Sequence, residues 1–370
     1  MQQRVIISQD IEHDLAQAIA ETEHDRVFVL TDDITQECCL PKVAVLFAKH
    51  NATIITIRHD DTNKTLATLA DVWTALQRGG ATRHSLLVNL GGGMVTDLGG
   101  FAAATFKRGI NFTNIPTTLL AMVDAAVGGK TGINFGGLKN EVGAFANARY
   151  VIVNTCFLDT LDTANLCSGY AEMLKHSLIS NAQMWAEHVN FDILQPDLAE
   201  LQRMVAASIA VKEHIVANDP HEHGIRKALN FGHTIGHALE EFSMQQQGGA
   251  VVSARLLPLA RARTALKNTL LHGYAVAFGL IGELYISARK AGFPTARLHQ
   301  TARFIRENYG AVAFTCDDYP TLLNLMRHDK KNTSGTINFT LLHDIGDIRI
   351  NQTATDEEIR EALDFIREGY

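Results

Sequence analysis

SLLVNLGGGMVTDLGGFAAATF, residues 85–106, is where the reading of this chain begins. Its first residues form an apolar run of the kind that makes a strand buried on both faces. Three glycines, Gly91, Gly92 and Gly93, then make a tight turn, and the residues after them have the composition of a buried helix. Such a unit delivers the free N–H groups of a helix start to the end of a strand, an arrangement that favours a pyrophosphate. Glycine turns also simply join strands to helices. On this motif alone, nucleotide binding and plain connection weigh equally.

Working outward, RVFVLTDD (26–33), ATIITIRHD (52–60) and YVIVNT (150–155) repeat the strand pattern between helical stretches, which reads as a parallel α/β domain. From about residue 159 the β signal fades and helices dominate, until TINFTLLHDIGDIRI (336–350) reads as a late hairpin. The expected division is an α/β domain over 1–158 and a mainly helical domain over 159–370, with a cleft between them as the expected ligand site. Asp32, at the end of FVLTD, suits a ribose acceptor or, more plainly, a loop cap. A carboxylate ahead of the glycines reverses the usual dinucleotide order, in which the acid follows by about 20 residues. The first domain is therefore a non-standard, Rossmann-like fold.

Composition narrows the function. A hydrophobic share of 46% and a charged share of 20% are those of a globular chain of 370 residues. A net charge of −7 argues against a general nucleic-acid surface. Five cysteines without a C-x-x-C pair argue against a disulfide framework or a thiolate zinc site and fit a reducing cytoplasm. No export signal or membrane span is expected.

In NFGHTIGHALEE (230–241) two histidines stand four apart. With Arg226 and Asn230, His233 and His237 follow steps of four, three and four, which bring all four onto one face of a helix. An H-x-x-x-H pair needs partners before it counts as a metal site, and no Glu lies between these two, so the H-E-x-x-H protease motif is absent. Glu172, three residues before Lys175, and His272 are candidates, their plainer readings being a surface ion pair and a helix-start histidine. Arg108, Lys130, Lys139, Lys175, Lys212 and Arg226 would suit a substrate carrying phosphate and carboxylate groups if they converge.

Taken in order, GGGMVTDLGGFAAATFKRGI, IPTTLLAMVDAAVGGKTGIN, GLKNEVGAF, SGYAEMLKH, LNFGHTIGHALE, LLHGYAVAFG and DKKNTSGTINFTLL resemble the 3-dehydroquinate synthase family of the shikimate pathway, over about residues 26–350. The resemblance implies a dehydroquinate synthase-like fold and a cytoplasmic homodimer in aromatic amino acid (chorismate) biosynthesis. It implies Zn2+ (or Co2+) on Glu172, His233 and His272, with His237 an active-site histidine outside the ligand set. It implies NAD over Gly91, Gly92, Gly93 and Asp97, with Thr117 and Thr118 nearby, Asp32 at the ribose, and Asp61 and Lys64 as the acid-x-x-Lys element, here with Asp where Glu is usual. Arg108, Asp124, Lys130, Lys139, Asn140, Lys175, Lys212, Arg226, Asn230 and Lys330 or Lys331 would surround the substrate. The implied enzyme is a carbon–oxygen lyase converting 3-deoxy-D-arabino-heptulosonate 7-phosphate to 3-dehydroquinate and phosphate. Its steps are transient oxidation at C5, phosphate elimination, return of the hydride, ring opening and aldol closure.

Two departures stand out. Tyr274 replaces the Glu that many relatives carry, and little effect is expected. His237 and His272 are 34 residues apart, where the family's connection is usually much shorter; the extra stretch, 245–269, reads as an additional helix. Alternatives are a sister sugar phosphate cyclase (2-epi-5-epi-valiolone synthase or 2-deoxy-scyllo-inosose synthase), a glycerol dehydrogenase-like polyol dehydrogenase, or a non-catalytic binding protein.

Overall fold

The computed structural model describes residues 3–246, 269–328 and 336–368. Two compact units emerge: Met1–Leu161 with Asp197–Ile209, and Asp162–Pro196 with Ala210–Tyr370.

The first unit runs β1 (Arg4–Ile7), α1 (Ile11–Glu21), β2 (Val27–Asp32), α2 (Asp33–Cys38), α3 (Ala44–Lys49), β3 (Thr53–Ile57), α4 (Leu66–Arg78), β4 (Leu86–Gly91), α5 (Gly93–Thr105), β5 (Asn111–Pro116), β6 (Lys130–Phe135), β7 (Leu138–Phe145) and β8 (Tyr150–Val153). Six strands form a parallel sheet in the order β1-β8-β5-β4-β2-β3, and β6 and β7 pair separately as an antiparallel hairpin. Every residue of β2 and β4 is buried, which is why their sequences are nearly continuous apolar runs instead of alternating ones. Helix α5 is apolar on nearly all sides for the same reason: Val95, Leu98, Phe101, Ala102 and Ala103 are buried.

The strand order marks where sheets of this kind bind ligands. From β2 the chain steps outward to β3, and from β4 it proceeds the other way to β5 and β8. Progression therefore reverses between β2 and β4, and open α/β sheets bind ligands beyond the carboxyl ends of the strands at that point. Asp32 ends β2 and Gly91 ends β4, so the acid and the glycines flank the switch.

The second unit contains α6 (Thr163–Leu178) and α7 (Ala182–Asn190). The long helix α8 (Leu198–Asn218) is divided between the units at Ile209. Then follow α9 (His233–Gln245), α10 (His272–Lys290), α11 (Thr295–Tyr309), α12 (Tyr319–His328), the hairpin β9 (Asn338–Asp344) and β10 (Asp347–Thr353), and α13 (Asp356–Glu368). Between Gly273 and Ser287, α10 is buried except at Tyr285, as expected of a central helix without a polar stripe. Among the described residues no helix is long and apolar enough to cross a membrane.

Candidate active site

In the second unit the sequence requires a break that the four-three-four spacing conceals. Arg226 and Asn230 lie on a short 3-10 turn, Ile225–Asn230, which ends before the α-helix begins at His233. Phe231 is extended and Gly232 is left-handed at φ +80, a conformation that glycine adopts without steric cost. Only His233 and His237 therefore share a helix face; the expectation of a single face for all four residues is corrected here.

No Ser, Thr, Asp or Asn caps α9. Its free N–H groups are taken instead by Glu283 of α10, fully buried, which accepts from Gly232 at 2.7 Å, Thr234 at 2.9 Å and Ile235 at 3.2 Å. Gly273 brings α10 against α6: a Cβ there would stand 1.8 Å from the Ser168 carbonyl oxygen. That close approach sets His272, the first residue of α10, beside Glu172 of α6.

His233 Nε2 and His272 Nε2 each stand 3.3 Å from the same atom, Glu172 Oε1, too long for a good N–H···O bond. The nitrogens of His233, His237 and His272 also lie within 4.8 Å of one another. Glu172 and Lys175, read from sequence as a possible surface pair, are fully buried, and the lysine ammonium contacts Glu172 Oε2.

The other nitrogen of each ring sets its tautomer. His233 Nδ1–H donates to the Phe231 carbonyl at 3.1 Å, and His272 Nδ1–H donates to Glu240 Oε2 at 3.0 Å. Both Nε2 positions are thereby available to present a lone pair to the point that Glu172 faces, with a hydrogen-bond acceptor behind each ring. Two imidazoles and one carboxylate, with a further imidazole alongside, are the donor set of a catalytic zinc site.

The charges within the cluster act on one another. Glu172 is held well below the usual carboxylate range: burial opposes its ionisation, but Lys175 and His233 outweigh that cost. Burial pushes His233 down to about 4, so it is neutral at pH 7. Burial acts on His272 in the same direction, but Glu240 and Glu172 reverse it and hold the ring up to about 10. A metal must displace that proton, so its affinity should fall as pH drops below about 10. Glu240→Gln removes the carboxylate behind His272 that holds its proton, so zinc affinity should become less pH-dependent, as read by chelator competition across pH; an unchanged pH dependence would remove Glu240 from the site.

Sequence reading missed both Glu240 and Glu283, and also Glu222, whose Oε1 accepts from Asn230 Nδ2 at 2.6 Å. Asp219 organises the preceding loop by accepting the N–H groups of His223, Gly224 and Arg226. Arg226 is buried, with Nη1 donating to the Pro220 carbonyl at 2.7 Å. Lys212, on α8, is also buried. Tyr274 packs edge-on against Tyr309 at 5.1 Å. Lys330, Lys331 and nearly all of the 245–269 stretch lie outside the described residues.

In the first unit, Asp32 caps α2. Its Oδ1 accepts from Thr35 N and its Oδ2 from Thr35 Oγ1, both at 2.8 Å. Gly92 is the N-cap of α5, Gly93 its first residue, and Asp97 sits one turn on. Thr117 N donates to the Gly91 carbonyl at 3.0 Å, which joins the ends of β4 and β5. Lys64, nearly fully buried, donates to Asp97 Oδ2 and Asn140 Oδ1, each at 2.5 Å. Lys139 lies 3.4 Å from Asp61. Asp124 is carried on a π-helical turn, Ala121–Ala125, a form frequent at functional sites. Lys130 opens β6, and Arg108 sits at φ +70 in a turn between α5 and β5.

The model of the N-terminal region of 3-dehydroquinate synthase matches residues 54–168, and that of the C-terminal region matches 169–257 and 259–332. The chain belongs to the 3-dehydroquinate synthase family. It is 50% identical over 369 residues to the 3-dehydroquinate synthase of Parabacteroides distasonis, covering 100% of this chain and 99% of that one. It is 31% identical to that of Clostridium tetani, over 92% of this chain and 86% of the relative. Among solved structures, 2-epi-5-epi-valiolone synthase of Streptomyces hygroscopicus subsp. jinggangensis, with NAD+ and Zn2+ bound, shares the fold at a TM-score of 0.82 and 24% identity, covering 100% of this chain and 98% of that one. A 2-deoxy-scyllo-inosose synthase complexed with carbaglucose-6-phosphate, NAD+ and Co2+ does so at 0.81 and 22%, covering 100% and 96%.

Proposed function

We propose that this chain converts 3-deoxy-D-arabino-heptulosonate 7-phosphate to 3-dehydroquinate and phosphate, acting as a cytoplasmic homodimer. The observation that carries the reading is the convergence of His233, His272 and Glu172 on one point in a member of this family. These three residues would hold zinc or cobalt, since nitrogen and carboxylate ligands suit either ion. NAD would take the carboxyl edge of the sheet, over Gly91, Gly92, Gly93 and Asp97, with Thr117, Thr118, Asp32, Asp61 and Lys64 around it. When bound, NAD supplies a transient hydride acceptor for C5 and the metal supplies Lewis acidity at the C5 oxygen.

The chain's own residues hold the substrate and move its protons. Arg108, Lys130 and Lys331 pair with the phosphate oxygens, and Arg226 holds the carboxylate through its planar guanidinium. His237, its ring 5.2 Å from that of His233, carries a proton at a ring nitrogen near the reacting centre; Asn140 is the second candidate for that relay. Asp124, Lys139, Lys175, Lys212 and Asn230 complete the substrate's surroundings, and Lys330 is the alternative to Lys331.

The test is phosphate release from this substrate by purified protein with zinc and NAD, while absorbance is followed at the NADH band. Phosphate without net NADH is the expected result. Release from sedoheptulose 7-phosphate instead would reassign the chain to a sister cyclase, and NADH accumulating on a polyol would make it a dehydrogenase.

A further inference from the structure

The hairpin β6–β7 does not pair evenly. Ile133 faces Val142 and Phe135 faces Leu138, so that Asn134 alone stands opposite three residues, Lys139, Asn140 and Glu141. Such a bulge takes extra residues out of the ladder and re-aims their side chains. Here the ladder's loss is made good by one side chain. Asn134 Oδ1 accepts the Asn140 N–H at 3.0 Å, while Asn140 itself adopts the left-handed conformation at φ +51, which asparagine tolerates better than most residues.

Asn134 reaches in the other direction as well. Its Nδ2 donates to the Asp61 carbonyl at 2.9 Å and lies 3.4 Å from Asp61 Oδ2, and its backbone N–H leaves the ladder to donate to the Lys64 carbonyl at 2.8 Å. Lys64 closes the circuit by donating to Asn140 Oδ1 and Asp97 Oδ2. One half-buried side chain therefore touches both the Asp61–Lys64 turn and the bulge that carries Asn140.

We propose that Asn134 is a positioning residue that locks the bulge of the β6–β7 hairpin to the Asp61–Lys64 turn, so that the cofactor loop and the substrate-facing Asn140 are held as one piece. This rests on the proposed function for what the two sides bind; the clamp itself is a statement about geometry. Because the bond from Asn134 N to Lys64 O is made by the backbone, it survives substitution, and the variants should fold.

Asn134→Ala removes every side-chain bond to Asp61 and to Asn140. Asn134→Asp keeps the acceptor for Asn140 but loses the donor to Asp61 and sets a second carboxylate beside it. Misplacing catalytic groups by about 1 Å costs on the order of 10²-fold in rate. For Asn134→Ala we expect kcat to fall by about that factor, NAD binding by calorimetry to weaken about 10-fold, and amide exchange in 136–142 to quicken. Asn134→Asp should weaken NAD to a similar degree but keep slow exchange in 136–142 and more of its kcat. A residue that served only folding would lower both activities in step with the unfolded fraction and leave this split absent. Exchange in 136–142 unchanged in Asn134→Ala would overturn the clamp. If the wild-type protein releases no phosphate, the functional reading fails, while the exchange comparison still decides the clamp.

Discussion

His233→Ala should retain its fold, lose its metal, and release phosphate at least about 10³-fold more slowly than the wild type. The magnitude follows from the several kcal/mol that Lewis-acid stabilisation supplies to a transition state, at 1.36 kcal/mol per tenfold. His233 provides one of the two Nε2 atoms facing Glu172 Oε1, and its ring is neutral at pH 7 because burial pushes its pKa down to about 4. With that ring gone, Glu172 keeps Lys175 and His272 as partners, and the donor set falls to one imidazole and one carboxylate. The fold is spared because Glu283 caps the helix start through the N–H groups of Gly232, Thr234 and Ile235, none of which the substitution removes. Metal content after dialysis and phosphate release read the two halves of the prediction. NAD affinity should not change, since the candidate nucleotide residues belong to the other compact unit. Equimolar metal together with turnover within tenfold of wild type would remove His233 from the ligand set. His237→Ala is the contrasting variant, expected to keep its metal and lose turnover.

The parts of this site legible in the sequence were those encoded locally. The apolar run before Gly91 and the helix after Gly93 belong to one connected unit, so strand, turn and helix could be read in order, as could β2 with Asp32 at its end. Strand β5, NFTNIP, mixes polar residues with a proline, and β6–β7 owes its shape to a bulge and a two-glycine turn, so neither shows a clean period. The candidate metal ligands became visible only through several blocks taken together, because Glu172, His233 and His272 are brought together by helix packing and not by spacing. The four-three-four pattern misled because spacing assumes a continuous helix, whereas Gly232 turns the chain before His233. Asn134 was passed over for a related reason: its neighbours at 61–64 lie about 70 residues away in the chain.

Glu283→Ala should destabilise the second unit by about 3 kcal/mol, a fall in Tm of roughly 6–12 °C. In sequence, Glu283 is a lone acid in the apolar run AVAFGLIGELYIS, and it acts on groups about 50 residues earlier. A buried carboxylate is costly unless its acceptors are filled, and this one is filled by three backbone donors at the positive end of a helix. Truncation leaves those donors buried and unsatisfied, each a loss of about 1–3 kcal/mol, partly recovered by relaxation of the first turn. Glu283→Gln should fall between the two, because its amide oxygen can still accept while its NH2 group opposes a donor. Urea titration should therefore rank the midpoints wild type, Gln, Ala. Zinc affinity should follow the same order, since His233 is the first residue of the helix whose start is released. A Glu283→Ala protein with a wild-type midpoint would show that the cap contributes nothing. A lowered midpoint with unchanged zinc affinity would show that the helix start and the ligand are not coupled.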